Sequence, residues 1–288
     1  MVLSTGDEFF TEEQTPGVRL SLRVKSLLVE EKTPYQFLQV FETAEHGRLL
    51  TLDGRVMLTE RDEYLYHEML VHPALFTHPD PREVVIVGGG DGGAVREVLR
   101  HPTVEGCTLV EIDRAVVEVS RKFLPGVSKG AFNDSRTRLL FQPGEKFVAE
   151  HVRSFDAILV DSTDPIGAAA VLFGEAFFAA AGRALRPGGI LAMQCGSPFY
   201  SYEHVVAVLS RLRTVFREAD LYLGFTPTYP SGMWAYALAS DSPLDRSEQE
   251  LAARIRGSGI DLQFYSARVH RAAFAFAHRL NESCRPAR

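Results

Sequence analysis

Two textures of hydrophobic and polar positions follow one another along the chain. From Val18 to Thr59, short apolar-rich runs (VRLSLRVKSLLVEE, YQFLQVFET, GRLLTLDG and RVMLT) are separated by turn residues at Thr33-Pro34, His46-Gly47 and Asp53-Gly54. Runs of this length with Asp-Gly as a hairpin signal predict a small antiparallel sheet. ERDEYLYHEMLVHPAL, beginning at Glu60, then takes a helical period. From residue 82 strands and helices alternate: EVVIVGG, AVREVLRH, GCTLVEID, RAVVEVSRKFL, TRLLF, GEKFVAEHVR, FDAILVDS, GEAFFAAAGRALRPGG, ILAMQCG and EHVVAVLSRLRTVF. Near-continuous apolar strands between helices predict a parallel sheet covered on both faces. Ligands of such sheets bind beyond the carboxyl ends of the strands.

Composition narrows the class without naming it. At 288 residues, with 45% hydrophobic and 24% charged positions, the chain reads as a soluble globular protein of one large domain, or one large and one small. A net charge of −6 argues against a nucleic-acid or anionic-membrane partner, either of which selects a basic face. The first residues are acidic, without a basic start and apolar core, and no apolar stretch approaches the roughly 20 residues that span a bilayer. Cys107, Cys195 and Cys284 are far apart, with no C-x-x-C pair. Reduced thiols in a cytoplasmic protein are expected, and no metal site.

The chemistry sits where the strands end. In VVIVGGGDGGAVREV (residues 84–98), Gly88, Gly90 and Gly93 satisfy the G-x-G-x-x-G dinucleotide pattern, yet Asp91 lies inside the turn. A carboxylate there repels a pyrophosphate, whereas a cationic nucleoside without phosphates, such as a sulfonium, removes the conflict. The competing reading is a loop aspartate that caps the following helix. Glu111 ends the second strand about twenty residues later, where an acidic group suits the ribose hydroxyls. Asp113 reads as the N-cap of the helix that starts at Arg114. In VDSTDP, Asp161 and Asp164 follow another apolar strand. Asp91, Asp161 and Asp164 in one cleft are expected to raise one another's pKa values and to require a cationic partner such as a polyamine. An amine with a pKa near 10.4 must lose a proton before it attacks, at a cost of roughly 4–5 kcal/mol at pH 7, and Asp161 can accept that proton as attack proceeds.

These segments resemble the polyamine aminopropyltransferases, the spermidine synthase family. The resemblance is carried by LDGRVMLTERDEYLYHEML, VVIVGGGDGGAVREVLRHPTVE, LVEID, DSTDPIG, YLGFTPTYPSGMWAYALAS and HRAAFAF, in family order from about Gln36 to Phe276. It implies an α/β chain: an N-terminal β-strand domain (1–60) on a Rossmann-like, class I methyltransferase-like catalytic domain (61–288) with a mostly parallel sheet. It also implies aminopropyl transfer from decarboxylated S-adenosylmethionine, a co-substrate rather than a cofactor, to a diamine, putrescine first, in a homodimer or homotetramer. Carried over by motif, Gln36 and Glu111 hold the nucleoside, and Asp91 meets the aminopropyl amine. Tyr66, His67, Asp164 and Tyr229 line the polyamine channel with Asp91 and Asp161, and Asp161 is the general base. Pro143-Gly144 and Ala168 fall at the adenine end. The chain departs from the family's usual residues at three places: Met57 replaces a common Gln, Pro143 a common Asp or Asn, and Ala168 a frequent Pro.

Three rival readings stand beside this one. An amine N-methyltransferase uses the same kind of fold, but intact S-adenosylmethionine brings its carboxylate against Asp91. A non-catalytic polyamine- or nucleoside-binding protein has no need of Asp161. An NAD dehydrogenase is disfavoured by Asp91 in the turn.

Overall fold

The computed structural model describes residues 8–165 and 167–283, so Cys284 lies outside the described residues. The N-terminal sheet has five antiparallel strands in chain order: β1 (Glu8–Thr15), β2 (Val18–Lys32), β3 (Phe37–Thr43), β4 (Arg48–Leu52) and β5 (Arg55–Thr59). Asp53 and Gly54, with φ of 49° and 75°, make the two-residue turn between β4 and β5, as the Asp-Gly signal implies. β1 is absent from the sequence expectation. Its inward positions are Phe10 and Glu12, and a buried acid breaks the apolar alternation that would mark a strand.

After α1 (Glu63–Thr77) the alternation begins: β6 (Glu83–Gly88), α2 (Gly93–Leu99), β7 (Gly106–Glu111), α3 (Arg114–Phe123), α4 (Pro125–Ser128), β8 (Thr137–Phe141), α5 (Gly144–Ala149), β9 (Phe155–Asp161), α6 (Glu175–Ala184), β10 (Leu185–Gly196) and α7 (Tyr202–Val215). β11 (Glu218–Phe225), β12 (Met233–Ser240), α8 (Glu248–Ser258), α9 (Ala267–Phe276) and α10 (His278–Ser283) complete it. The seven-stranded sheet runs β11-β12-β10-β9-β6-β7-β8. β10, β9, β6, β7 and β8 are parallel, and β12 is antiparallel to β10 and β11.

Successive side chains of each central strand feed opposite faces. Val84 and Ile86 join a core with Leu70 of α1 and Val98 of α2. Val85 and Val87 join a second core with Phe178 of α6 and Leu209 of α7. Each such buried aliphatic side chain contributes about 1.5–3 kcal/mol. Both faces being covered explains why these strands read as unbroken apolar runs. The five-stranded sheet docks through Leu38, Leu50 and Leu58 onto Val116, Val119 and Leu124 at the α3–α4 end.

Two helices are shorter than expected. α6 stops at Ala184, because Pro187 disfavours helix in Arg186 and Leu185 pairs with Phe155 of β9. α5 stops at Ala149, and Arg153, once counted within it, has a φ of 46°. Cys107 and Cys195 are free and buried on opposite faces of the sheet, and burial pushes the Cys107 thiol up to about 12. Among the described residues no single helix is long and apolar enough to cross a membrane.

Candidate active site

Chain order reverses between β6 and β9: β7 and β8 extend the sheet on one side, β9 and β10 on the other. That crevice is where open α/β sheets bind ligands. A cavity of about 300 Å³ opens there, lined by Gln36, Met57, Tyr66, His67, Asp91, Glu111, Gly144, Asp161, Asp164, Ala168 and Tyr229, among others. Ten of the eleven residues assigned to the site from the sequence therefore meet in one place. Pro143 is the exception, since the wall at that point is Gly144.

Two glycines of the turn make the approach possible. Gly88 pairs in register with Asp161, has a φ of 82°, and a Cβ on it would collide with the Asp161 carbonyl. A Cβ on Gly93 would strike the His67 ring. The third glycine of the dinucleotide pattern, ordinarily there for close helix–strand packing, thus makes room for a histidine.

His67 lies between the carboxylates. Its Nδ1 donates to Glu63 Oε2 at 2.6 Å, and its Nε2 stands 3.2 Å from Asp91 Oδ1 and 4.0 Å from Asp161 Oδ2. The three-way mutual rise expected of Asp91, Asp161 and Asp164 needs correction at Asp91, which falls, and at Asp164, which rises without the other two acids. Burial raises its carboxyl, but the charge and hydrogen bond of His67, with the Gly93 N–H, bring it below its ordinary value. Asp161 does rise, to about 6, through burial and the Asp91 charge, while His67 and Tyr66 oppose the rise. Asp164 rises through burial, opposed by Arg55 and His204. Tyr66 donates to Asp161 Oδ1 at 2.7 Å, whereas Asp161 Oδ2 is buried with no hydrogen-bond partner. Asp91 Oδ1 also accepts the Gly93 N–H at 2.7 Å. Asp91 therefore accepts the first N–H of α2 while also lining the cavity.

One ligand atom each from His67, Asp91 and Asp161 lies within 4.8 Å of the others, a spacing compatible with a bound cation. His67 Nδ1 is already taken by Glu63, which leaves Nε2 facing the two aspartates. The bare Asp161 oxygen suits an ammonium.

At the other end, Glu111 is buried and its Oε1 accepts the Asp113 N–H at 2.9 Å. Burial pushes its carboxyl up to about 7, against the N–H groups of Asp113, Ile112 and Gly90. Asp113 caps α3 through Ala115 N, as its position predicts. It also accepts from Gln36 Nε2 at 2.9 Å and from the Thr33 hydroxyl at 2.7 Å. One aspartate thereby fixes Gln36, carried by the N-terminal sheet, over a cavity built by the other sheet.

Sequence reasoning missed a side chamber of about 40 Å³ that shares Arg55, Met57, Tyr66, Asp164 and Tyr229 with the main cavity and adds Glu12, Gln194 and Trp234. Glu12 Oε2, Gln194 Oε1 and Trp234 Nε1 are all buried without partners. Burial lifts the Glu12 carboxyl to about 7, opposed by the Val56 backbone and by Arg55. Arg55 Nη1 lies 3.8 Å from Asp164 and 4.0 Å from Glu12. Gln194 Nε2 holds the Ser162 and Thr163 carbonyls, and the Tyr229 hydroxyl donates to Met57 O at 2.5 Å. An acid at an inward position of β1 and an amide inside the apolar run ILAMQCG are the signals that could have found Glu12 and Gln194.

Comparison with known proteins agrees with this geometry. A family model described as a spermine/spermidine synthase domain matches residues 63–248, and one described as a spermidine synthase tetramerisation domain matches residues 8–60. The chain is 43% identical over 267 residues to a polyamine aminopropyltransferase of Caldicellulosiruptor bescii, covering 93% of this chain and 94% of the relative. It is 45% identical to a polyamine aminopropyltransferase of a Thermoanaerobacter species, covering 92% and 94%. Among solved structures, a spermidine synthase in complex with the transition state analogue AdoDATO superposes with a TM-score of 0.92 at 35% identity, covering 99% of this chain and 98% of that one. The spermidine synthase of Thermotoga maritima gives 0.89 at 34% identity, covering 99% and 97%.

Proposed function

This chain belongs to the spermine/spermidine synthase family and is an aminopropyltransferase; from that premise we propose that its donor is decarboxylated S-adenosylmethionine, its acceptor a short diamine such as putrescine, and its general base Asp161. The observation that carries the reading is the buried, unpartnered Asp161 Oδ2 beside His67 and Asp91, with a second carboxylate oxygen without a hydrogen-bond partner, Glu12 Oε2, in the adjoining chamber. Two carboxylate ends joined by the Tyr66 and Tyr229 rings, 5.5 Å apart by centroid, suit two ammonium groups joined by an alkyl chain.

In this reading the acceptor amine lies against Asp161 and Tyr66. Its nitrogen attacks the aminopropyl carbon bound to the donor's sulfonium. The C–N bond forms, the C–S bond breaks with its electron pair going to sulfur, and the amine proton passes to Asp161. The products are the extended polyamine and neutral 5′-methylthioadenosine. A base raised from 3.8 to about 6 is better matched to an amine near 10.4 than an ordinary aspartate. Glu111 takes the ribose hydroxyls and Gln36 the nucleoside, with Gly144 and Ala168 at the adenine. The Gly93 N–H and the His67 contact both fall on Asp91 Oδ1, which leaves Oδ2 for the donor's terminal ammonium.

One incubation decides the reaction: putrescine with either decarboxylated or intact S-adenosylmethionine, products read by mass spectrometry. Spermidine and methylthioadenosine from the decarboxylated donor alone are expected; a methylated amine from the intact donor overturns the reading. We also read the protein as a homo-oligomer assembled through its N-terminal sheet, where Phe9 is 54% exposed. Light scattering tests this, and a monomer at micromolar concentration contradicts it.

A further inference from the structure

His67 is held from behind as well as from the front. Both oxygens of Glu63 are bound by Arg96, Nη1 to Oε1 at 2.8 Å and Nη2 to Oε2 at 2.9 Å. Arg96 is itself fixed by Glu97, from Nε to Oε1 at 2.7 Å, and by the Val127 carbonyl of α4. Glu97 in turn takes His72 at 3.0 Å and Arg100 at 2.7 Å. Glu63, His67, Arg96, Glu97 and His72 are all buried. The result is a row of alternating charge running from Asp91 and His67 through Glu63 and Arg96 to Glu97.

Carboxylates only accept hydrogen bonds. Glu63 is ionised by its two-pronged contact with Arg96, and Asp91 accepts the Gly93 N–H, so His67 meets an acceptor at each ring nitrogen. An imidazole that donates to both is a cation. Burial works against this, yet Asp91 and Glu63 lift its pKa well above the ordinary value. Such a row contributes little stability for its cost. Removing each ion from water carries a penalty of several kcal/mol, and apolar residues of the same volume often do as well. Its place, one residue behind the reacting cluster, gives it a second use.

We propose that Glu63 and Arg96 are positioning residues for the transfer: they fix His67 as a doubly donating cation between Asp91 and Asp161, and this keeps the Asp161 carboxylate ionised to receive the acceptor's proton. The inference rests on Asp161 being the base. The groups facing Asp161 are Tyr66 and His67 of α1 and Asp91 of the glycine turn, with the Tyr229 and Tyr236 hydroxyls beyond. His67 is the cation among them. The groups facing His67 are Glu63 on its own helix, Asp91 on the turn and Asp161 on β9.

The test uses the full chain labelled with 15N-histidine and with 13C at the aspartate carboxyls, the His67 and Asp161 signals being assigned from His67→Gln and Asp161→Asn. At pH 8 His67 should show both ring nitrogens protonated, and in Glu63→Gln it should become neutral. The Asp161 titration midpoint should rise by about one pH unit or more in Glu63→Gln and in His67→Gln, the effect of losing a cation within about 4–6 Å. The acid limb of kcat/KM for the acceptor should rise with it. His67→Gln leaves the Glu63–Arg96 pair intact, so it still decides the matter if Glu63→Gln fails to fold. A neutral His67 at pH 8 in the unsubstituted chain, or an Asp161 midpoint that stays put in His67→Gln, overturns the proposal. So does lost activity with an unmoved limb, which is the mark of a structural role. The spectra do not depend on turnover: a chain that transfers no aminopropyl group refutes the proposed function, while the His67 and Asp161 signals still decide this inference.

Discussion

His67 Nε2 stands 3.2 Å from Asp91 Oδ1, so the acidic cleft holds an imidazole that its carboxylate neighbours bias toward the charged form. The two residues come from α1 and from the turn after β6, and only the absent side chain of Gly93 lets them meet. This contact separates the roles of the acids. Asp91 is held below its ordinary value by His67 and the Gly93 N–H, while Asp161 is raised to about 6. Two carboxylates in one pocket take opposite shifts because one lies 3.2 Å from His67 Nε2 and the other 4.0 Å.

Asp161→Asn should lower kcat by about 10²–10⁴-fold, the usual worth of a general base. Methylthioadenosine binding should be retained, because Asp161 faces the amine. Steady-state kinetics beside calorimetry check both halves, and near-normal turnover in the mutant would remove Asp161 from the mechanism.

Asp91→Asn should separate three ligands. Decarboxylated S-adenosylmethionine should lose roughly 2–5 kcal/mol of binding, the range for breaking a buried charge pair. Methylthioadenosine, which lacks the aminopropyl ammonium, should bind as before. Intact S-adenosylmethionine should gain relative to the decarboxylated donor, since its carboxylate no longer meets a like charge. Equal losses across the three would reduce Asp91 to its bond with Gly93 N–H.

If Glu111 takes the ribose hydroxyls, nucleoside affinity should depend on pH. Burial pushes its carboxyl up to about 7, and the ionised form is the stronger acceptor for hydroxyl groups. The ionised fraction is nearly complete at pH 8 and falls as pH drops through 7. Methylthioadenosine affinity should therefore be about tenfold weaker at pH 6 than at pH 8, and flat with pH in Glu111→Gln. A pH-independent Kd in the unsubstituted protein counts against the ribose contact.

Glu12 should be felt only by acceptors with a second ammonium. It too titrates at about 7, ionised above and neutral below. The ratio of the putrescine KM to the butylamine KM should rise by up to about tenfold from pH 8 to pH 6, because effects on Asp161 cancel between the two amines. In Glu12→Gln the ratio should be higher at pH 8 and indifferent to pH. An unchanged ratio would place the distal ammonium elsewhere.

Much of this protein was legible in the sequence. The parallel sheet, the Asp53-Gly54 hairpin, the cap at Asp113 and the convergence of Asp91, Glu111, Asp161 and Asp164 all follow from local rules. Apolar runs fix strands, glycines fix a turn, and strand ends in a parallel sheet share one edge. A resemblance in motifs was needed for Tyr66 and His67, because a helical period reveals that residues share a face but not what the face meets. The tertiary structure decided what depends on distance between segments far apart in sequence. α1 reads as an ordinary helix, yet nearly all of it is buried, and its acids are tolerated there because Arg96 and His67 answer Glu63 while the backbone N–H groups of Gln263, Phe264 and Tyr265 answer Glu68. Glu12 enters the site from a strand that sequence reading passed over. Whether an acid is raised, lowered or left bare is set by its neighbours within a few ångströms and by the water excluded around it. Sequence pattern specifies which face a side chain takes; only packing of that face against another segment specifies its charge.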